Sequence, residues 1–199
     1  MKDLFVPFLF FLILGVLGKG ISAEVFPKQI VSQVVFVESE SAFGSGVILG
    51  TNYVLTAAHI DGGFFINGLP CSILKKDSRY DLIYLQTKFT FDKSRHIKFA
   101  STLSPGESVW IVGCFQGKPA LIHGYVSRLE DDCFFVDAKI ISGFSGGGVF
   151  NEQGEFVGLY VGGSRPAGSI DGLGVAWNLK RIYTFLDIDF AKAKVLDPK

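Results

Sequence analysis

Cysteine is scarce in this chain: among 199 residues only Cys71, Cys114 and Cys133 carry a thiol. Because the number is odd, one of the three must be unpaired. A disulfide between Cys114 and Cys133 is one hypothesis. The other is that all three cysteines are small buried apolar side chains. No CxxC or HxxxH spacing occurs, which argues against a metal site. We therefore expect no metal site, and we also expect no organic cofactor.

An excess of one charge is also lacking. The chain has 19 basic and 19 acidic residues, mixed along its length, and a formal net charge of zero. No run of Lys or Arg could follow a phosphate backbone, so we expect no nucleic-acid partner. Apolar residues make up 48% of the chain, enough for a globular protein with a sizeable core.

The longest apolar run is short. Leu4 to Val16 follows a polar start and precedes a small-residue stretch that ends at Ala23, which is the layout of a secretory signal peptide. The run falls short of the ~20 residues that a spanning helix needs. We expect residues 1–23 to be a signal peptide and the mature chain to be secreted or periplasmic. The alternative is an uncleaved membrane anchor through residues 4–17, the one case in which membrane contact is expected.

Long amphipathic helices are absent, and short segments rich in Val, Ile, Phe and Tyr recur between glycine or polar turns, a pattern typical of strands. Only Leu179–Leu186 has helical spacing, with Asn178 as a cap. The predicted strands are Ile30–Glu38, Gly46–Leu49, Tyr53–Ala57, Phe64–Ile66, Leu82–Gln86, Ser108–Gly113, Ala120–Ser127, Cys133–Ala138, Gly148–Phe150, Phe156–Val161 and Gly174–Trp177.

The strand count predicts an all-β fold of barrels or a sandwich. A polar stretch over roughly Thr87 to Pro105 divides the strands into two sets of about six, which would make two small barrels, about 28–95 and about 104–186. The folded domain is expected to span 24–186. Residues 187–199 are expected to form a tail.

Three separated segments carry residues that could take part in catalysis, and the first two supply a base and an acid. GSGVILGTNYVLTAAHI delivers His59 at the end of a strand, although a lone histidine is more often an ordinary packed or surface residue. Asp81, in DSRYDLIYLQ, enters an apolar strand, where a carboxylate needs a hydrogen-bonded or charged partner. An imidazole would supply one. A turn-closing aspartate is the alternative role, and Asp77 fits it better because Ser78 and Arg79 follow.

The third segment is SGFSGGGVFNEQGEFVGL, in which Ser145 lies between Gly143 and Gly146. Glycines there let backbone amides point at a substrate oxygen. A glycine-rich serine loop by itself could be a simple hairpin turn. The order of His59, Asp81 and Ser145 at strand or loop boundaries is a stronger signal than any of them alone.

Together the segments TAAHI, DLIYL and GFSGG resemble the trypsin-like serine proteases, and within them the bacterial Deg/HtrA-like branch, over roughly Val34 to Leu186. The resemblance implies two perpendicular six-stranded antiparallel barrels with the active site between them. It further implies a serine endopeptidase acting on proteins or peptides through an acyl-enzyme. Ser145 would be the nucleophile, His59 the base and Asp81 its partner, and the amides of Gly143 and Ser145 would form the oxyanion hole.

The chain departs from the digestive members of that family. Phe144 stands where they have an aspartate that pairs with a new amino terminus, so activation of that kind is not expected. Phe43 and Ile60 lie near the positions of a missing cysteine pair. We expect the Phe144 ring to pack beneath the loop, the alternative being that it distorts the loop. The second barrel takes up most of the residues after Ser145, so no PDZ domain is expected.

The resemblance also suggests a substrate pocket. Lys139 stands at the expected pocket base, where it would favour an acidic side chain, unless it is a surface lysine. Tyr160 would narrow the pocket, while Gly162 and Gly163 would leave its wall open to main-chain hydrogen bonds from an extended peptide. The competing functional hypothesis is a catalytically idle fold that captures peptides or a partner protein.

Overall fold

The computed structural model describes residues 25–138, 141–162 and 173–188, and most of their regular structure is β-strand. The first half contains α1 (Val25–Ser32), β1 (Val34–Glu38), β2 (Phe43–Gly50), β3 (Tyr53–Ala57), β4 (Phe65–Ile66), β5 (Leu69–Pro70), β6 (Ser72–Asp77) and β7 (Leu82–Gln86). After a 3₁₀ turn at Lys93–Arg95, the second half contains β8 (Ser108–Phe115), β9 (Lys118–Leu129), β10 (Cys133–Asp137), β11 (Gly147–Asn151), β12 (Phe156–Gly162), β13 (Gly174–Asn178) and α2 (Leu179–Leu186). The predicted signal peptide, and the predicted tail from residue 189 onward, lie outside the described residues.

The first sheet is antiparallel, with strand order β5-β4-β1-β2-β3-β7-β6. Its edge strands β5 and β6 follow each other in the chain with only Cys71 between them. One bent segment therefore pairs with β4 through its first part and with β7 through its second part, which curls the sheet into a half-barrel. Counted as one strand, β5 and β6 complete the predicted set of six.

The second sheet is a closed six-stranded barrel with the order β10-β13-β12-β11-β8-β9. Its longest hairpin joins β8 to β9 through the pair Phe115 and Lys118. The two residues between them, Gln116 and Gly117, both have positive φ, 51° and 74°, as a tight turn between twisted strands requires. This barrel and the curled sheet confirm the predicted all-β class.

Helix α2 is the short helix predicted over Leu179–Leu186. The Asn178 side chain accepts a hydrogen bond from the Arg181 amide, the interaction of an amino-terminal cap. Ile182 and Phe185 are buried on the inner face of the helix. The Arg181 guanidinium pairs with Asp132 and lies 3.6 Å from the ring centre of Tyr80. The helix thus contacts the loop that leads to Asp81.

Several elements differ from the prediction, among them α1 and the unpredicted strands β5 and β6. The first strand begins at Val34 and not at Ile30, because the preceding residues form α1, which buries Ile30 and ends with the Ser32 hydroxyl donating to the Gln29 carbonyl. Strand β6 was not predicted, since it shows no alternation: the neighbours Ile73 and Leu74 are both about half exposed. Among the described residues, no helix is long and apolar enough to cross a membrane.

Candidate active site

Strand pairing brings His59 and Asp81 together. Ala57 at the end of β3 pairs with Leu82 at the start of β7, so the residues beyond these two ends become neighbours. The His59 amide donates to Asp81 Oδ1 at 2.6 Å, and His59 Nδ1 lies 2.5 Å from Asp81 Oδ2. Asp81 adopts a left-handed backbone with φ of 55°, a conformation that aspartate tolerates better than most residues. The two bonds fix the imidazole relative to the carboxylate.

This pairing changes the chemistry of His59. The hydrogen bond that the Asp81 carboxylate accepts from the imidazole raises the pKa of His59 above its ordinary value of 6.5; partial burial opposes the rise, and the negative charge of Asp81 adds to it. Because Nδ1 is engaged by Asp81, Nε2 is the ring nitrogen left to exchange a proton with another group. The His59 side chain is 42% exposed, so a reactant can reach it.

Asp77 has the structural role that its sequence context predicts. Its Oδ1 accepts hydrogen bonds from the amides of Arg79 at 2.9 Å and Tyr80 at 3.2 Å. These bonds close the turn between β6 and β7. Asp77 is therefore a turn residue, and Asp81 is the acid that contacts His59.

Ser145 lies in the loop before β11, and this loop packs on the first sheet. The Ser145 carbonyl accepts from the Ser45 amide at 2.7 Å, while the Gly146 amide donates to the Tyr160 carbonyl at 2.7 Å. A Cβ built on Gly146 would lie 2.9 Å from the amide nitrogen of Ala57, so only a glycine fits beside the strand that leads to His59. The Ser145 hydroxyl makes no hydrogen bond within the described residues.

Two amides of the same loop have no acceptor in the part of the chain that the structure describes: those of Gly143 and Ser145. The amide between them, on Phe144, donates to the Ile141 carbonyl at 3.3 Å, and the Phe144 carbonyl accepts from Gly147. Gly143 has φ of 91°, and a Cβ there would lie 2.2 Å from the Cys114 carbonyl oxygen. Two free amides on either side of one bonded amide can both donate to a single oxyanion.

Phe144 packs beneath the loop, as expected. The residue is fully buried, and its ring belongs to the core of the second barrel. A Cβ built on Gly113 would lie 2.7 Å from the Phe144 ring, so the absence of a side chain at Gly113 makes the space for it. The loop is therefore anchored at this position by apolar packing.

The predicted pocket residues are only partly described. Tyr160 is fully buried, its hydroxyl has no hydrogen-bond partner within the described residues, and burial raises its pKa to about 12. Gly162 lies beside the nucleophile loop: a Cβ there would be 3.4 Å from Ser145 Oγ. Lys139 and Gly163 lie outside the described residues, so their pocket roles stay predictions.

All three cysteines are free thiols, and burial raises the pKa of each. The bridge between Cys114 and Cys133 is absent. No group of three or more His, Cys, Asp or Glu side chains in the described ranges could hold a metal ion. Sequence reasoning missed Ser45, whose only signal is its place between two glycines in GSGV.

This chain is similar in sequence to one protein family and in fold to several solved structures. The trypsin-like peptidase domain matches residues 67–159. Among solved structures, a serine-to-alanine variant of Rv3671c from M. tuberculosis H37Rv, in its inactive form, superposes with a TM-score of 0.69 at 17% identity, covering 87% of this chain and 92% of that one. The Rv3671c protease, also in an inactive form, superposes with a TM-score of 0.70 at 16% identity. The superposition covers 82% of this chain and 91% of that one.

The chain has the trypsin-like serine protease fold. The resemblance predicted from the three motifs is thereby confirmed, and the matched segment includes Asp81 and Ser145. A curated relative, the "Probable membrane transporter protein MamO" of Paramagnetospirillum magneticum, is 27% identical over 158 residues. The match covers 66% of this chain and 24% of MamO, so this trypsin-like chain spans about a quarter of that relative. The family match and the shared fold are both similarities to trypsin-like peptidases.

Proposed function

We propose that this chain is a serine endopeptidase that hydrolyses peptide bonds in proteins through an acyl-enzyme, with His59, Asp81 and Ser145 as its catalytic residues. The observation that carries the proposal is the two-point pairing of His59 with Asp81, at 2.5 and 2.6 Å, beside a serine loop with two free amides. Acyl transfer needs a base, its orienting acid, a nucleophile and an oxyanion site, and these residues supply each of them.

In the proposed mechanism the Ser145 oxygen attacks the scissile carbonyl while its proton passes to His59 Nε2. Asp81 holds Nδ1 and stabilises the imidazolium that forms. The amides of Gly143 and Ser145 donate to the oxygen that becomes negative, a contribution of ~3 kcal/mol for each donor. His59 then protonates the leaving amine, and water releases the acyl group by the reverse steps.

The test uses a fluorophosphonate probe, which labels only an activated serine, together with cleavage of casein or a peptide library. We expect labelling and cleavage by the mature chain, and loss of both in Ser145→Ala. Ser142→Ala is the matched control, because Ser142 lies three residues away in the same segment and is exposed. Cleavage that persists in Ser145→Ala would show that another residue is the nucleophile.

One observation favours a second candidate function. Among the described residues, the hydrogen bonds of His59 are both to Asp81, and none joins it to the Ser145 hydroxyl, the contact through which a base activates a serine. An idle trypsin-like fold that captures extended peptides or a partner protein would keep this arrangement. Folded protein that resists the probe yet binds peptides would favour this candidate over the peptidase.

Substrate choice and location also belong to the proposal. An inward Lys139 would favour acidic side chains at the primary pocket, and a profile of cleaved peptides tests this directly. We propose that the mature chain is secreted or periplasmic. Mass spectrometry of the amino terminus is expected to find a start near Glu24, whereas an intact leader would indicate a membrane anchor.

A further inference from the structure

Ser45 connects the two halves of the fold at the nucleophile loop. It lies in β2 and is fully buried. Its hydroxyl donates to the Gly143 carbonyl at 2.6 Å and accepts from the Cys114 amide at 2.7 Å. Its own amide donates to the Ser145 carbonyl at 2.7 Å. A single residue of the first sheet thus binds the loop on both sides of Phe144 and also binds strand β8.

These bonds act on the residues whose amides are free. The carbonyls of Gly143 and Ser145 are held by Ser45, and the amides of the same two residues have no acceptor within the described residues. With its carbonyl bound, each residue has less freedom to rotate. Gly143 most needs such a restraint, because glycine adopts many backbone conformations at little cost in energy.

We propose that Ser45 is a positioning residue that holds the amides of Gly143 and Ser145 in place for the oxyanion, an inference that rests on the proposed peptidase function. Without the hydroxyl, the Gly143 carbonyl and the Cys114 amide would be buried without a partner, and such groups are strongly unfavourable. The Gly143 segment would turn to find new partners, and its amide would leave the oxyanion position.

The experiment compares Ser45→Ala with Thr87→Val. Thr87 is a matched control, because it is also buried in the first half and its hydroxyl donates to a carbonyl, that of Phe89, at 2.6 Å. For Ser45→Ala we expect kcat and the rate of fluorophosphonate labelling to fall about tenfold to a hundredfold, with KM changed less than threefold, since a misplaced oxyanion donor weakens the transition state. Thr87→Val should keep both rates within about twofold of the unmodified chain.

Hydrogen exchange separates this inference from the proposed function. Amides in the peptide spanning 141–147 should exchange faster in Ser45→Ala than in Thr87→Val, whether or not the chain is a peptidase. An unmodified chain that is inactive, with faster exchange in Ser45→Ala, would refute the peptidase function and would still support the inference that Ser45 holds the loop of Gly143 and Ser145. Unchanged rates and unchanged exchange in folded Ser45→Ala would overturn the positioning role.

A second variant covers the case in which Ser45→Ala does not fold. Ser45→Cys keeps the shape of the side chain but replaces the hydroxyl with a much weaker donor. We expect it to fold, to label more slowly than the unmodified chain, and to show faster exchange over 141–147. Labelling and exchange equal to those of the unmodified chain would contradict the proposal.

Discussion

The ring of Phe144 occupies the space that a side chain at position 113 would fill: a Cβ built on Gly113 would lie 2.7 Å from two atoms of that ring and 2.9 Å from the Phe144 Cα. The absent side chain on β8 and the large side chain before the nucleophile are therefore complementary. Their packing holds the loop from inside the barrel, while Ser45 holds it from the first sheet.

Replacement of Phe144 by alanine is expected to lower both stability and activity. Removing a fully buried ring lowers the free energy of unfolding by about 3–5 kcal/mol, and the loss here lies directly under the nucleophile. Phe134→Ala is the control, since Phe134 is equally buried in the same barrel core. Denaturant unfolding should give similar losses for both variants, and kcat should fall further for Phe144→Ala. Equal kcat values would show that the ring only stabilises the barrel.

Alanine at position 143 is expected to abolish the oxyanion geometry. The added Cβ would lie 2.2 Å from the Cys114 carbonyl oxygen, at a φ of 91°, so the loop must move. We expect kcat to fall on the order of 10²-fold to 10³-fold, as on loss of an oxyanion donor. Gly106→Ala is the matched control, because Gly106 has a similar φ of 83° and open space around it. Steady-state kinetics that match between the two variants would rule out a special role for Gly143.

The Asp81 carboxylate is expected to set the pH dependence of activity. Its hydrogen bond raises the pKa of His59, and the base must be neutral, so activity should rise with pH and reach half its maximum above pH 6.5. In Asp81→Asn this midpoint should move to lower pH, and kcat should fall on the order of 10⁴-fold because the imidazole loses its orientation. Asp77→Asn, which keeps the side-chain oxygen that closes the turn, should preserve midpoint and rate. A midpoint that does not move in Asp81→Asn would contradict this assignment.

The same shift predicts the sign of the pH effect on stability. Because the folded pKa of His59 lies above its unfolded value, the His59–Asp81 pair stabilises the folded state fully below about pH 6.5, and this contribution is lost as pH rises through the folded pKa. In Asp81→Asn the stability difference from the unmodified chain should therefore shrink above that range. Thermal melting of both proteins between pH 5 and pH 9 measures this stability difference.

The free thiols are expected to make stability independent of reductant. Cys71, Cys114 and Cys133 form no bridge, and burial raises their pKa values, which slows alkylation. We expect three titratable thiols after unfolding and the same Tm with and without a reducing agent. A mass 2 Da below the reduced value, with a Tm that falls on reduction, would reveal a disulfide.

Local sequence was sufficient for much of the fold. Tyr53–Ala57, Leu82–Gln86 and Leu179–Leu186 begin and end where their patterns predict. Their boundaries depend on neighbouring turn and cap residues, such as Asp77 and Asn178, whose effects reach only a few residues. The pairing of His59 with Asp81 was expected from the resemblance of TAAHI and DLIYL to the trypsin-like proteases, while local sequence alone indicated only that a carboxylate entering an apolar strand needs a partner.

What the sequence by itself determined was therefore the strand pattern, the turns and the residue types of the candidate site. Tertiary structure alone decided that β5 and β6, joined by Cys71, complete the first sheet. It also decided that Phe144 packs against Gly113, and that Ser45 forms hydrogen bonds with the carbonyls of Gly143 and Ser145. Each of the last two relationships joins residues far apart in the chain. Such contacts depend on shape and on which buried polar groups meet, and neither follows from local propensity or periodicity.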